Sequence, residues 1–374
     1  MLMRALVAAV TVVVAACEAS GPPRPEQRPP AEAAPTHVAE PPSAAPGTEP
    51  ASVPAERAVS PKPSEEAVPG KSRARAQTES ASGTGAAAAP AAAASGAPSA
   101  VTTAAAGPAA SLRNRYVALS AQLEHSPFPQ RLYIESIESP RALQGDIYAL
   151  LDYPFALVSD AFATPAHWCD TLILHLNVKY CRATARDDHT VLSVAVGRKY
   201  DQPLADTYRL EFAFRAAAPA EDYMAADLDA AKGPLGTRDY HIALEAVALE
   251  DGRTFLHIRY AYAYGLLGRL ALKIYLATSA GGKVGFTVVG HEKDGTPRFV
   301  GGVRGAIERN TMRYYLAIDA SLGALATPPP QRFEQSLERW FTGTERYAPQ
   351  LHEVDRNTYF AMKRREYLRQ QTPR

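Results

Sequence analysis

Tyr260, Tyr262 and Tyr264 recur at every second position of one apolar segment, a period that sets all three on one face of a β-strand. Tyr208, Phe212 and Phe214 repeat the pattern in an earlier segment and are expected to share the same interior, with Tyr314 contributed by a later helical stretch. A phenol packs its ring on hydrocarbon while its hydroxyl bonds a polar head, so the set suits an amphipathic ligand. The same residues would equally build an ordinary core whose hydroxyls reach carbonyls or water. Arg304 and Glu308 stand four apart, a spacing that favours a surface ion pair contributing a few tenths of a kcal/mol. Turned inward, Arg309 or Arg313 would instead meet a phosphate or carboxylate head group.

Catalytic signatures are sparse. His125, His167, His175, His189, His241, His257, His291 and His352 are isolated, and His257 shares a strand with the tyrosines but alternates to the opposite face beside Arg259. There is no GxSxG elbow, no glycine-rich phosphate loop and no metal-ligand spacing, and Asp187-Asp188-His189 reads as a polar turn. No metal or cofactor is expected. An enzyme using scattered pocket residues stays open, because such groups converge only in three dimensions.

The elements that must position the aromatic set follow from periodicity. Leu112, Tyr116, Leu119 and Leu123 have helical spacing, and Pro127 and Pro129 stop that helix. Segments 131–138 and 145–153 read as strands; Pro154 and Pro165 each open a short helix. A series of alternating segments follows at 190–200, 207–215, 240–249 and 254–264, as in an antiparallel sheet with one buried face. After Gly301-Gly302, residues 303–325 carry Val303, Ile307, Tyr314, Ile318 and Leu322 at the spacing of a long, largely buried helix.

This order, with Gly145-Asp146-Ile147-Tyr148-Ala149-Leu150 followed by Pro154-Phe155, resembles the START-like or helix-grip superfamily over residues 112–325. The resemblance implies an α+β fold in which a curved antiparallel sheet wraps the long helix and leaves an apolar cavity between them. Fold alone does not give function. Carriage of a hydrophobic or lipid ligand, cyclase-like, hydratase or hydrolase catalysis, and a cargo-free interaction module are the readings it leaves. Residues 326–374 depart from the simplest pattern. Pro328-Pro329-Pro330 breaks the long helix, and 331–342 and 353–371 read as two further helices packed on the domain. Their basic run, Lys363-Arg364-Arg365 with Arg369, is expected on a solvated face that complements the helix dipole.

Ahead of the domain, Arg4, an apolar run over residues 5–16 and Val14-Ala15-Ala16-Cys17 resemble the lipobox of bacterial lipoproteins. Twelve helical residues rise only about 18 Å, too little for a hydrocarbon core of roughly 30 Å. The resemblance implies cleavage after residue 16 and lipid attachment at Cys17. With Glu18 next, it implies an outer membrane facing the periplasm. Residues 17–111 hold no aromatic side chain and over half of the 31 prolines, so they are expected to form a disordered Ala/Pro-rich tether. In an oxidising compartment the remaining pair, Cys169 and Cys181, favours a disulfide over two buried thiols. A formal net charge of +1 gives no electrostatic case for nucleic acid. The expectation is thus a lipid-anchored envelope domain that binds or transfers a hydrophobic small molecule.

Overall fold

The computed structural model describes residues 107–217, 220–265 and 282–372. Cys17 and nearly all of the expected tether lie outside the described residues. Helix α1 (Pro108–Glu124) begins at Pro108, whose fixed φ and missing N–H suit the first helical position. Strands β1 (Leu132–Glu138) and β2 (Ala142–Leu151) form a hairpin, and helices α2 (Phe155–Phe162) and α3 (Pro165–Leu172) lead to the far edge of the sheet. From there β3 (Val178–Ala185), β4 (Thr190–Val196), β5 (Tyr208–Ala216), β6 (Tyr223–Lys232), β7 (Thr237–Ala248) and β8 (Thr254–Tyr264) return as a meander. The result is one antiparallel eight-stranded sheet, ordered β1-β2-β8-β7-β6-β5-β4-β3. A small hairpin, β9 (Val288–His291) and β10 (Pro297–Phe299), precedes the long helix α4 (Gly302–Ala324). Helices α5 (Arg332–Glu345), α6 (Ala348–Leu351) and α7 (Arg356–Gln371) end the chain.

Helix α4 lies across β1, β2 and β8, while α2 and α3 cover β6, β7, β3 and β4, so the helices bury one face of the sheet. This is the α+β helix grip that the element order implied. At Gly145 on β2 a Cβ would collide with the Thr311 hydroxyl, so glycine lets α4 pack close to the strand there. The core includes Leu143, Ile147, Leu192, Leu228, Leu244 and Ile258 from the sheet and Ile307, Met312 and Ile318 from α4. Full burial contributes roughly 1.5–3 kcal/mol for each large apolar side chain. Helix α1 packs on the opposite face, where Leu112, Leu119 and Leu123 meet Tyr148, Val247 and Phe255. Cys169 on α3 and Cys181 on β3 are disulfide-bonded, a short closure that contributes about 3 kcal/mol by chain entropy.

Two expectations about charge are corrected. Glu308 is fully buried rather than on the surface, and the distance to Arg304 is 4.0 Å. Its carboxylate accepts from Phe286 N at 2.7 Å, Thr287 N at 2.9 Å, Thr287 Oγ1 at 2.8 Å and Ser136 Oγ at 2.6 Å. Four donors make the burial tolerable and tie the β9–β10 hairpin to α4. Lys363 is likewise buried, not solvated, because α7 packs on β3. Its ammonium donates to the His175 and Val178 carbonyls at 2.7 and 2.8 Å and to Glu366 Oε2 at 2.7 Å. Lys179 Nζ stands 3.1 Å from the other Glu366 oxygen, an ion pair without hydrogen-bond alignment. The remaining basic side chains are paired near the surface, Arg364 with Glu334 and both Arg365 and Arg369 with Asp201. Helix α7 also covers the β3 edge, where Cys181 N–H donates to Gln370 Oε1 at 3.1 Å.

Candidate functional site

The two-residue period of β8 turns Leu256, Ile258, Tyr260, Tyr262 and Tyr264 toward α4 and sends His257 and Arg259 to the other face. On β7 the register shifts between Arg238 and His241, around Asp239 at φ 51°, a left-handed value that aspartate tolerates better than most residues. This irregularity accompanies the placement of Tyr240 beside the β8 tyrosines, stacked on Tyr262 with ring centroids 5.3 Å apart. Tyr260 and Tyr262 are 5.7 Å apart, and Tyr314 on α4 meets Tyr260 at 5.1 Å. Beyond Tyr314 the imidazole of His175, in the connection from α3 to β3, stacks at 4.8 Å. The rings form one ladder from Tyr240 to His175, drawn from two strands, a helix and a loop.

Among the described residues the polar edges of the ladder find few partners. Tyr240 shares a hydrogen bond with Thr237 Oγ1 at 2.8 Å, but the hydroxyls of Tyr260, Tyr262 and Tyr314 bond no other described residue. Tyr260 and Tyr262 are both buried, each with 8% exposure. Burial pushes all three phenols well above the ordinary tyrosine range, with their neighbouring tyrosines adding to the shift. They therefore remain neutral donors and acceptors at any physiological pH.

His175 is 3% exposed, and burial, then the charges of Arg313, Lys363, Lys199 and Lys179, hold its imidazolium form well below the usual range. Its Nδ1 accepts Asn177 N–H at 3.1 Å, which assigns the proton to Nε2. That Nε2 is buried and has no hydrogen-bond partner among the described residues. An unmatched buried donor costs about 1–3 kcal/mol, which an acceptor on a bound molecule would offset. Among the described residues no carboxylate hydrogen-bonds to His175, Tyr240, Tyr260, Tyr262 or Tyr314.

The expected site residues divide. Tyr260, Tyr262 and Tyr314 come together, and Phe212 and Phe214 are buried in the same core. Tyr264 joins through Tyr262 at 6.3 Å, with its hydroxyl donating to the Ser139 carbonyl at 3.2 Å. Tyr208 stands apart. It has the inward parity, but it opens β5 opposite Val196 and is 51% exposed, because the burial of this strand starts only at Leu210. Arg309 turns inward as one reading allowed, yet its guanidinium donates to the carbonyls of Lys283 and Val284, both at 3.1 Å, anchoring backbone. Sequence reading missed Tyr240, whose segment begins among charged residues, and His175, which no local spacing distinguishes.

On the opposite face of the sheet, His257 Nε2 lies 2.8 Å from Asp146 Oδ1 and its Nδ1 lies 3.1 Å from Glu245 Oε2. Tyr148 stacks on the imidazole at 4.3 Å, and Arg259 Nε donates to Asp146 at 2.9 Å. Burial alone would lower the pKa of His257, but the two carboxylates outweigh it and raise it. With both nitrogens committed to acids and a lid of aromatic rings, this imidazolium is structural.

No protein-family model matches the chain, and no curated protein matches it. Among solved structures it is similar to human StAR-related lipid transfer protein 5 at 10% identity over 45% of this chain and 90% of that one, with a TM-score of 0.26. It is similar to the Zhui aromatase/cyclase from Streptomyces sp. R1128 at 9% identity, over 58% and 96% of the two chains, with a TM-score of 0.26. Norcoclaurine synthase from Thalictrum flavum gives 11% identity over 39% and 78%, again with a TM-score of 0.26. At these scores the likenesses carry no functional argument.

Proposed function

We propose that this domain binds a hydrophobic or amphipathic small molecule, such as a lipid, between the inner face of β7 and β8 and helix α4. The observation that carries the reading is the ladder itself. Three tyrosine hydroxyls and one imidazole N–H sit in an aromatic interior with no protein partner among the described residues. Apolar surface of the ligand would supply the affinity, at about 25 cal/mol for each Å² buried, and the polar edges would orient it. Lipid attachment at Cys17 would hold the domain at a membrane of the cell envelope, with the Ala/Pro-rich segment as its leash, so that cargo could be presented or transferred there.

Solvent extraction of the purified chain followed by mass spectrometry tests the binding reading. A co-purifying amphiphile, lost when Tyr260 and Tyr314 are both replaced by Trp to fill the space, is the expected result; an extract matching the buffer would count against it. The anchor is tested separately. Cys17→Ser is expected to move the protein from the membrane fraction to the soluble fraction, and unchanged retention would rule out lipidation at that residue.

A further inference from the structure

We infer that the connection from α3 to β3, residues 173–177, is an acid-opened clasp: a proton taken up at His175 Nδ1 breaks its bond to Asn177 and releases the ring from Tyr314 at one end of the ladder. The clasp stands on contacts within the chain and goes beyond the binding reading, so the two fail separately.

In the closed arrangement Nδ1 accepts the Asn177 N–H at 3.1 Å, which leaves that nitrogen no lone pair for a proton. The ring is 3% exposed and stacks on Tyr314 at 4.8 Å. Asn177 is itself fixed, since its Nδ2 donates to the Gly197 carbonyl at 2.6 Å and its carbonyl accepts the Gly197 N–H at 2.7 Å. The rest of the connection is held from α7 and β3. Tyr359 Oη donates to the Leu174 carbonyl at 2.9 Å, Lys363 Nζ to that of His175 at 2.7 Å and Lys179 Nζ to that of Leu176 at 2.9 Å. Three successive carbonyls are thus gripped from outside the connection, and the grip sets the imidazole against Tyr314.

An imidazolium in this place meets no carboxylate among the described residues. The charges that act on His175 are Arg313 on α4, Lys363 on α7, Lys199 in the β4–β5 connection and Lys179 on β3, all of them positive. The nearby acids are engaged elsewhere, Glu366 with Lys179 and Lys363 and Glu353 with Lys199 and Arg313. Lys363, lowered by burial to about 7, is charged in the acid range and adds to the repulsion. Once the connection swings out, the imidazole meets water and regains its ordinary value of about 6.5. The open form therefore binds a proton that the closed form excludes, and below about pH 6.5 the open-to-closed ratio rises by up to about tenfold per pH unit. Above that value His175 is neutral in both forms and the ratio no longer depends on it.

Hydrogen exchange of the full chain at pH 5, 6 and 7, read by mass spectrometry with intrinsic exchange rates divided out, tests the clasp. The amides of Asn177 and Val178 donate to His175 Nδ1 and to the His175 carbonyl. The peptide that holds them is expected to lose protection by up to about tenfold per unit below pH 6.5, while the β7 and β8 peptides keep theirs. His175→Gln retains an acceptor for Asn177 without titrating, and it should flatten the profile. A flat profile in wild type overturns the clasp. Loss of protection shared equally by the connection and by β7 and β8 also overturns it, because the whole domain is then unfolding. A His175→Gln slope equal to that of wild type gives the proton to another group, with the same consequence. The first two outcomes are read in wild type and stand even where the variant fails to fold.

Discussion

Tyr314 stacks on His175 with ring centroids 4.8 Å apart and planes 27° from parallel, joining helix α4 to the loop that enters β3. The contact forms one end of the aromatic ladder. It also depends on the C-terminal helices, because Lys363 on α7 grips the His175 carbonyl at 2.7 Å. One loop thus couples the ladder, the disulfide-tied edge of the sheet and the terminal extension.

If the Tyr260 and Tyr262 hydroxyls serve a ligand rather than the fold, removing them should spare stability. Tyr260→Phe and Tyr262→Phe are expected to unfold within about 0.5 kcal/mol of wild type in urea, since neither hydroxyl has a partner among the described residues. A loss above about 1.5 kcal/mol in either variant would mean that its hydroxyl is engaged by the protein.

Lys363 gives the domain a signed pH dependence. Burial, only partly opposed by Glu366, lowers its ammonium to about 7, against about 10.4 in the unfolded chain. The unfolded state therefore binds more protons above pH 7, and stability should rise with pH from about 7 toward 10. Above that range the raised phenols reverse the trend, because the unfolded chain releases its tyrosine protons first. Lys363→Met should remove up to about 1.4 kcal/mol of slope per pH unit just above pH 7. Urea midpoints collected across that range, showing the same slope in both proteins, would refute the assignment.

The imidazolium of His257 works in the opposite direction. Its folded pKa is raised, so its contribution is complete below the unfolded value of about 6.5 and fades as pH climbs through the folded value. His257→Gln is expected to cost about 3 kcal/mol near pH 6 and less in alkaline solution, because Asp146 stays buried with fewer donors. Chemical denaturation at the two pH values decides it; a cost that grows with pH would exclude an imidazolium here.

Much of the fold was legible because large side chains alternate visibly in the strands that build the ladder, and Tyr260, Tyr262 and Tyr264 needed only the period of two. Strand β6 was passed over because its inward set includes Ala226 and Ala230, whose small side chains blur the alternation. Strand β3 was missed because its pairing shifts register between Val178 and Tyr180, and because its Lys179 is buried. The charged residues misled for one shared reason. Spacing places Glu308 and Lys363 on helix surfaces, but it does not say that Thr287 or β3 will cover those surfaces. His175 belongs to the same class, since its role comes entirely from neighbours distant in the chain.

The most direct measurement of the central claim is photo-crosslinking of the full chain with an alkyl carboxylate that bears a diazirine in mid-tail, followed by peptide mapping of the adducts. Labelling concentrated on the β8 segment with Tyr260 and Tyr262 and on the α4 segment with Tyr314, and competed by dodecanoate, is the predicted result. Labelling confined to exposed surfaces such as Val288 and Val289, or indifferent to the competitor, would contradict an interior binding site.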